Sequence, residues 1–245
     1  MSAPLSSATI EDLVAANQIL YAQRVLDAYG HVSARHDTEP GRFWLSRSLA
    51  PALVSAADIM EFDLDGNALG RDAEGGLGRK PYVERYIHSE IYRRRPDVKA
   101  IVHSHSPAVI PFGVTPAPLR PIFHMAGFIG TEVPVFDIRE FAGVTDLLVS
   151  NPSLGASLAT FLKDRPAALM RGHGSVAVGN SIPQAVYRAV YLEVNARLQA
   201  EAMRLGKINF LTPEEAVLAA ASNDQHISRP WALWKRELGK KFGSE

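Results

Sequence analysis

The chain has 245 residues, 47% of them hydrophobic and 21% charged, enough apolar content for one sizeable core at a length that fits a single domain over residues 1–245. Lysine plus arginine equals aspartate plus glutamate at 26 each, so no basic excess points to nucleic acid and no tail of either sign stands out. No apolar run approaches the roughly 20 residues that span a bilayer, the N-terminus lacks the basic-then-apolar layout of a signal peptide, and the absence of cysteine confines any metal site to His, Asp, Glu or water; a cytoplasmic protein without a membrane partner is expected.

In chain order, a helix is predicted to open near Ser7, with Thr9 as its cap and Glu11 and Asp12 in its first turn. Leu13, Ala16, Leu20, Val25 and Leu26 carry helical spacing up to Gly30. Two short strands follow at 31–36 and 42–46, joined by a turn-like segment at 37–41. Residues 59–64 alternate as a strand does and end at the hairpin turn Asp65-Gly66-Asn67, and 70–80 read as a loop rich in glycine and charge. The stretch 82–95 reads as a helix stopped by Pro96 and Asp97, and Lys99 to Val102 as a strand running into His103-Ser104-His105. A proline-rich segment spans 107–121, with apolar stretches at 122–128 and 133–136. Helices are expected at 151–162, 183–205 and 213–221, and a buried strand at 167–171 leads into Gly172-His173-Gly174, with 175–179 as its continuation or partner. Trp231 and Trp234 close the chain as packing residues. No internal repeat or long linker divides it, so the expectation is one α/β domain.

Side chains alternate faces along a strand, so His103 and His105 point the same way and can grip one small object; a divalent metal is what neutral imidazole most often holds, although strand-end decoration explains a bare His-x-His equally well. Glu84 lies upstream with His88 one turn after it on the same helix face, and the helix feeding back into the strand would bring Glu84 toward the strand end; a solvent salt bridge is the competing reading. His173 sits between glycines, which contribute no core, so packing explains it poorly and a ligand or catalytic role is favoured. Three imidazoles plus a carboxylate or water suit zinc or another first-row divalent ion with a position left open for substrate.

Glu84, the run Ile101-Val102-His103-Ser104-His105-Ser106 and the run Arg171-Gly172-His173-Gly174-Ser175 resemble, in order and approximate spacing, the glutamate, His-x-His and C-terminal histidine of the class II aldolase/adducin family, and the resemblance covers most of the chain. It implies a three-layer α/β/α sandwich with a mostly antiparallel central sheet. It further implies a divalent metal ion, Zn2+ or Mn2+, on His103, His105 and His173, with Glu84 as the proton-transfer residue, in a homotetramer with sites at subunit interfaces. Sugar-phosphate aldolases of this family carry a Gly-Asn-x-Ser motif and a Thr-Pro-Ser-Gly-like loop for the phosphate. Here Gly30-His31-Val32-Ser33 and Leu45-Ser46-Arg47-Ser48 stand in their place, and the phosphate nest is not recognisable. His31, Ser46 and Arg47 are therefore candidates for binding a small carboxylated substrate: the guanidinium offers a planar fork that matches a carboxylate, a surface ion pair being the alternative for it.

The wording Tyr29-Gly30-His31, Leu45-Ser46-Arg47-Ser48, Leu119-Arg120-Pro121 and Leu169-Met170-Arg171 resembles the branch of that family that decarboxylates hydroxylated benzene or pyridine dicarboxylates. The resemblance thus implies a metal-dependent carbon–carbon lyase, a decarboxylase of aromatic catabolism, in which Glu84 or a water it orients supplies a proton to the ring carbon. Burial of Glu84 would favour the protonated form this needs, and the metal's charge would oppose it. The alternatives are retro-aldol cleavage of a non-phosphorylated hydroxy-carbonyl compound, with Tyr187 or Tyr191 protonating the departing oxygen, and a non-catalytic adducin-like binding protein.

Overall fold

Strands buried at every position need cover on both faces of their sheet, and this chain has four of them. The computed structural model describes residues 7–75 and 78–242. In it β1 (His31–Arg35), β4 (Ala100–Ser104), β6 (Ala167–Met170) and β7 (Gly174–Gly179) are buried throughout, while β2 (Arg42–Ser46), β3 (Ile59–Asp63) and β5 (Val135–Phe136) lie nearer the edges. The strand order is β3-β2-β1-β4-β7-β6-β5, antiparallel at every pairing except β5 with β6.

One face is covered by α1 (Ser7–Ala22), α6 (Ile182–Leu205) and α8 (Ser228–Phe242), with Leu13, Val32, Val102, Leu169, Val186 and Trp234 in a shared core. The other is covered by α2 (Arg85–Arg94) and α5 (Pro152–Leu162), which pack with Phe43, Phe62, Ile87, Ile101, Leu158 and Val176. Short α3 (Ile110–Val114) and α4 (Arg139–Ala142), and α7 (Pro213–Asp224), complete the helices. The result is a three-layer α/β/α sandwich with a mostly antiparallel sheet. Strand alternation sorts β1 between the layers: Val32 and Ala34 join the α1/α6 core, whereas His31, Ser33 and Arg35 reach α2.

Several expectations of local structure change. Helix α1 stops at Ala22 rather than near Gly30, because Arg24 turns to φ 61° and the amides of Val25 and Leu26 both donate to the Leu20 carbonyl. Thr9 does not cap it; its hydroxyl donates to Asp37 over 2.8 Å. Helix α2 starts only at Arg85, which puts Glu84 at its N-cap position rather than on its face. Of the glycine-rich loop, 70–75 wind a short 3-10 segment and Arg79 pairs with Asp72, while 76 and 77 lie outside the described residues. Among the described residues no helix is long and apolar enough to cross a membrane.

Candidate metal centre

Antiparallel pairing of β1 with β4 sets His31 opposite His103, and pairing of β4 with β7 brings Ser104 opposite Ser175. At that end the β6–β7 turn passes so close to β4 that a Cβ on Gly174 would collide with the Ser104 carbonyl oxygen, and Gly172 takes φ 65° to make the turn. The glycines around His173 thus let its ring approach the His-x-His pair. His103 Nε2 and His105 Nε2 lie 3.2 Å apart, and His173 Nε2 lies 3.1 Å from His105 Nε2. Glu84 comes in from the start of α2, its Oε2 3.5 Å from His173 Nε2 and 3.6 Å from His103 Nε2, while its Oε1 accepts the Val149 amide at 2.9 Å. All four donor atoms fall within 4.8 Å of one another.

This donor set fits a cation. His103 Nδ1 lies 3.1 Å from the Ser175 carbonyl oxygen, which can only accept, so the proton sits on Nδ1 and the Nε2 lone pair faces the cluster. Lone pairs converging this closely repel one another unless a positive ion lies among them. Two imidazoles on one tetrahedral zinc, at about 2.0–2.1 Å each, hold their nitrogens roughly 3.4 Å apart, near the separations seen here. Burial, the largest influence, lowers His103 to about 3, with the His173, His105 and His88 rings adding to the effect and Glu84 opposing it; burial likewise lowers His105. Both rings are therefore neutral and ready to ligate at physiological pH. For Glu84 burial pushes upward, but the hydrogen bond to His173, the positive charge that His103 and His173 carry when protonated at low pH, and the Val149 amide outweigh it and hold the carboxyl at about 2. Glu84 is a carboxylate, not the partly protonated acid that ring protonation by Glu84 itself requires.

The cluster opens on a cleft of about 610 Å³ whose walls include Tyr29, His31, Leu49, Tyr82, Val83 and Leu148. Of the sequence-derived substrate residues only His31 lines it. Ser46 is fully buried and does not line it. Arg47 does not reach it: its Nε donates to Asp58 Oδ1 at 2.6 Å, the ion pair that was the competing reading. Tyr191 packs among Phe123, Tyr187 and Trp234 on α6, and Tyr187 donates to the Met125 carbonyl, so neither tyrosine meets the cleft of its own chain. His88, read only as a neighbour of Glu84, is instead fully buried and bonded to His31 and Ser33, with Tyr92 next in line. The period-two run His31, Ser33, Arg35 facing His88 and Tyr92 at helical spacing was the available sign of this group. Burial keeps His31 well below its ordinary value, with His88 and the other rings adding to it, and takes His88 to about 3 against a weaker pull from Glu84.

A family model described as "Class II Aldolase and Adducin N-terminal domain" matches residues 11–200. The chain is 38% identical over 257 aligned positions to the "Decarboxylase tropJ" of Talaromyces stipitatus, covering 95% of each. It is 30% identical over 217 positions to a "3,4-dihydroxyphthalate decarboxylase" of Terrabacter sp., covering 86% of this chain and 87% of that one. Its fold superposes on an aldolase II superfamily protein of Pseudomonas syringae with a TM-score of 0.80 at 22% identity, over 98% of this chain and 95% of the other.

Proposed function

Because the chain belongs to the class II aldolase and adducin family, we propose that it is a divalent-metal-dependent carbon–carbon lyase that decarboxylates a hydroxylated aromatic dicarboxylate in the cytoplasm, as one domain over 1–245. The observation that carries this reading is the convergence of three imidazole Nε2 atoms and the Glu84 carboxylate at the mouth of a cleft. The similarity over 95% of the chain to a decarboxylase, and to a dihydroxyphthalate decarboxylase, supports the choice of reaction. His103, His105 and His173 would hold Zn2+ or Mn2+, whose chemistry is that of a Lewis acid, drawing negative charge onto oxygen as a carbon–carbon bond breaks.

The chain's own residues divide the remaining work. Tyr29, Leu49, Tyr82, Val83 and Leu148 give the cleft flat and apolar walls suited to a ring. The Glu84 carboxylate, tied down by Val149, accepts a hydrogen bond from a water at Oε2 and so holds that water's second proton toward the ring carbon that loses carbon dioxide; the hydroxide left behind and the carbon dioxide together account for bicarbonate, so charge balances. His31 meets a substrate oxygen. Among the described residues lining the cleft there is no arginine or lysine to receive the carboxylate that is retained. In the homotetramer of this reading, with sites at subunit interfaces, the neighbouring subunit supplies it; Arg47, paired with Asp58, and Tyr191, on α6, stand outside their own chain's cleft.

A second reading is favoured by one observation. An ionised Glu84 is already the base that retro-aldol cleavage of a non-phosphorylated hydroxy-carbonyl compound needs. The deciding experiment incubates the Mn2+- or Zn2+-loaded protein with hydroxylated phthalates and pyridine dicarboxylates, and with unphosphorylated hydroxy-carbonyl compounds, and measures released carbon dioxide and aldehyde. Carbon dioxide that vanishes in His103→Ala supports the decarboxylase; aldehyde alone transfers the site to the aldolase reading; neither product, in a chain that binds no metal, leaves the adducin-like binding protein.

A further inference from the structure

Four histidines crowd the cluster, yet only three aim Nε2 into it. The fourth, His31, lies with its ring centre 5.0 Å from that of His103 and turns its Nδ1 the other way, 2.6 Å from His88 Nε2. The line continues inward: His88 Nδ1 to Ser33 Oγ at 2.6 Å, then Ser33 Oγ to the Tyr92 hydroxyl at 2.8 Å. Tyr92 is buried beneath the Arg35 guanidinium, whose carbon sits 4.6 Å from its ring centre, and among the described residues its hydroxyl has Ser33 as its one hydrogen-bond partner.

A row of this kind, made of neutral rings and hydroxyls, can start with His31 Nδ1 as donor or as acceptor. In the first, His31 Nδ1–H donates inward, each group passes the direction on, and Ser33 donates to Tyr92. The Tyr92 O–H is then left at the buried end with nothing to donate to; if Tyr92 donates to Ser33 instead, Ser33 accepts from both sides and its own buried O–H has no acceptor among the described residues, and a folded chain avoids either outcome. In the second, Tyr92 donates to Ser33, Ser33 to His88 Nδ1, and His88 Nε2–H to His31 Nδ1. Every group is then satisfied, and the proton of His31 is left on Nε2. With Nδ1 committed to His88, Nε2 is the nitrogen His31 has for the cleft it lines.

We infer that the buried row Tyr92–Ser33–His88 fixes His31 as the Nε2–H tautomer, so that His31 is a hydrogen-bond donor to an anionic substrate oxygen and not a fourth metal ligand. Tyr92, Ser33 and His88 are positioning residues; His31 alone touches substrate. The inference deepens the lyase reading by requiring an acceptor-only atom, a carboxylate or phenolate oxygen, at this point of the substrate. A substrate group that must itself donate is excluded there.

Proton–nitrogen correlation spectra of zinc-loaded protein carrying isotope-labelled histidine test this without turnover, so their outcome is independent of whether carbon dioxide or aldehyde is ever released. His31 is assigned by the signal lost in His31→Gln. The expected wild-type spectrum has His31 Nε2 and His88 Nε2 protonated, with both Nδ1 atoms of the bare, lone-pair type. A protonated His31 Nδ1 overturns the inference. In Tyr92→Phe, which keeps the ring but removes the directing O–H, the two His31 nitrogen shifts move toward each other as both tautomers become populated; Ser33→Ala does the same if the tyrosine variant fails to fold. Nitrogen shifts unchanged in the folded variant overturn the directing role of Tyr92.

Discussion

At Glu84 one carboxylate oxygen is fixed by a backbone amide and the other faces two imidazole nitrogens. A glutamine can keep the first contact through its carbonyl oxygen but brings an N–H where the second oxygen stood and loses the charge. Glu84→Gln is therefore expected to lower the rate of carbon dioxide release about 10²- to 10⁴-fold, the usual worth of a positioned proton-transfer group, while metal content stays at that of the wild type. A variant that loses the metal along with the rate would make Glu84 a ligand instead. His88 carries a different consequence. Folded, burial holds it at about 3, whereas the unfolded ring titrates near 6.5. Between those values the unfolded chain takes up a proton that the folded chain refuses, so stability falls as pH drops from about 6.5 toward 3, by about 1.4 kcal/mol per pH unit from this group. Urea midpoints across this range should fall less steeply in His88→Asn than in wild type; equal slopes would mean that His88 is protonated in the folded chain.

Among the elements, most strands and helices with a clear apolar period stood where the sequence put them, since burial on one or two faces leaves its mark in spacing; the end of α1 and the start of α2 are the exceptions, because turns at Arg24 and before Arg85 break a spacing that continues through them. Contacts between elements far apart in the chain left no such mark. Arg47 looked like a free fork because its partner Asp58 sits 11 residues on, across a turn, and nothing local announces the ion pair. His88 looked like a companion of Glu84 because both precede the His-x-His strand, yet the start of α2 at Arg85 separates their roles. The α2–α5 contact shows the same limit. Gly155 on α5 reads as an unremarkable helical glycine, but a Cβ there would collide with the Tyr86 backbone carbonyl in the first turn of α2. Gly155→Ala should cost about 1–3 kcal/mol in denaturant unfolding, the range for overpacking a tight contact. Because α2 begins beside Glu84, the same variant should lose activity at temperatures where it remains folded. A fully active variant of wild-type stability would show that the two helices part without disturbing the site.

For the whole molecule, the three histidines and Glu84 were legible as a candidate group because ligand chemistry demands particular residue types whatever surrounds them, and two of the histidines share one strand end. What spacing alone did not supply, and the family resemblance only implied, is which distant stretches these groups tie together: the turn before α2, the end of β4 and the β6–β7 turn meet at this point. An ion held by the three histidines would cross-link the end of β4 to the β6–β7 turn, parts of the chain that separate on unfolding, and in the unfolded chain those ligands are no longer held together. Its binding energy therefore appears as folding stability. At a free metal concentration about 100 times the dissociation constant the gain is about 2.7 kcal/mol, or roughly 5–10 °C in Tm for a chain of this size. Thermal unfolding with and without added Zn2+ or Mn2+, after chelation, measures it. His173→Ala removes one ligand from the turn while leaving β4 intact, so it should still unfold cooperatively but lose most of the metal-dependent shift. A wild-type Tm indifferent to metal would mean that the cluster does not bind the ion in the folded chain, and the lyase reading would fall with it.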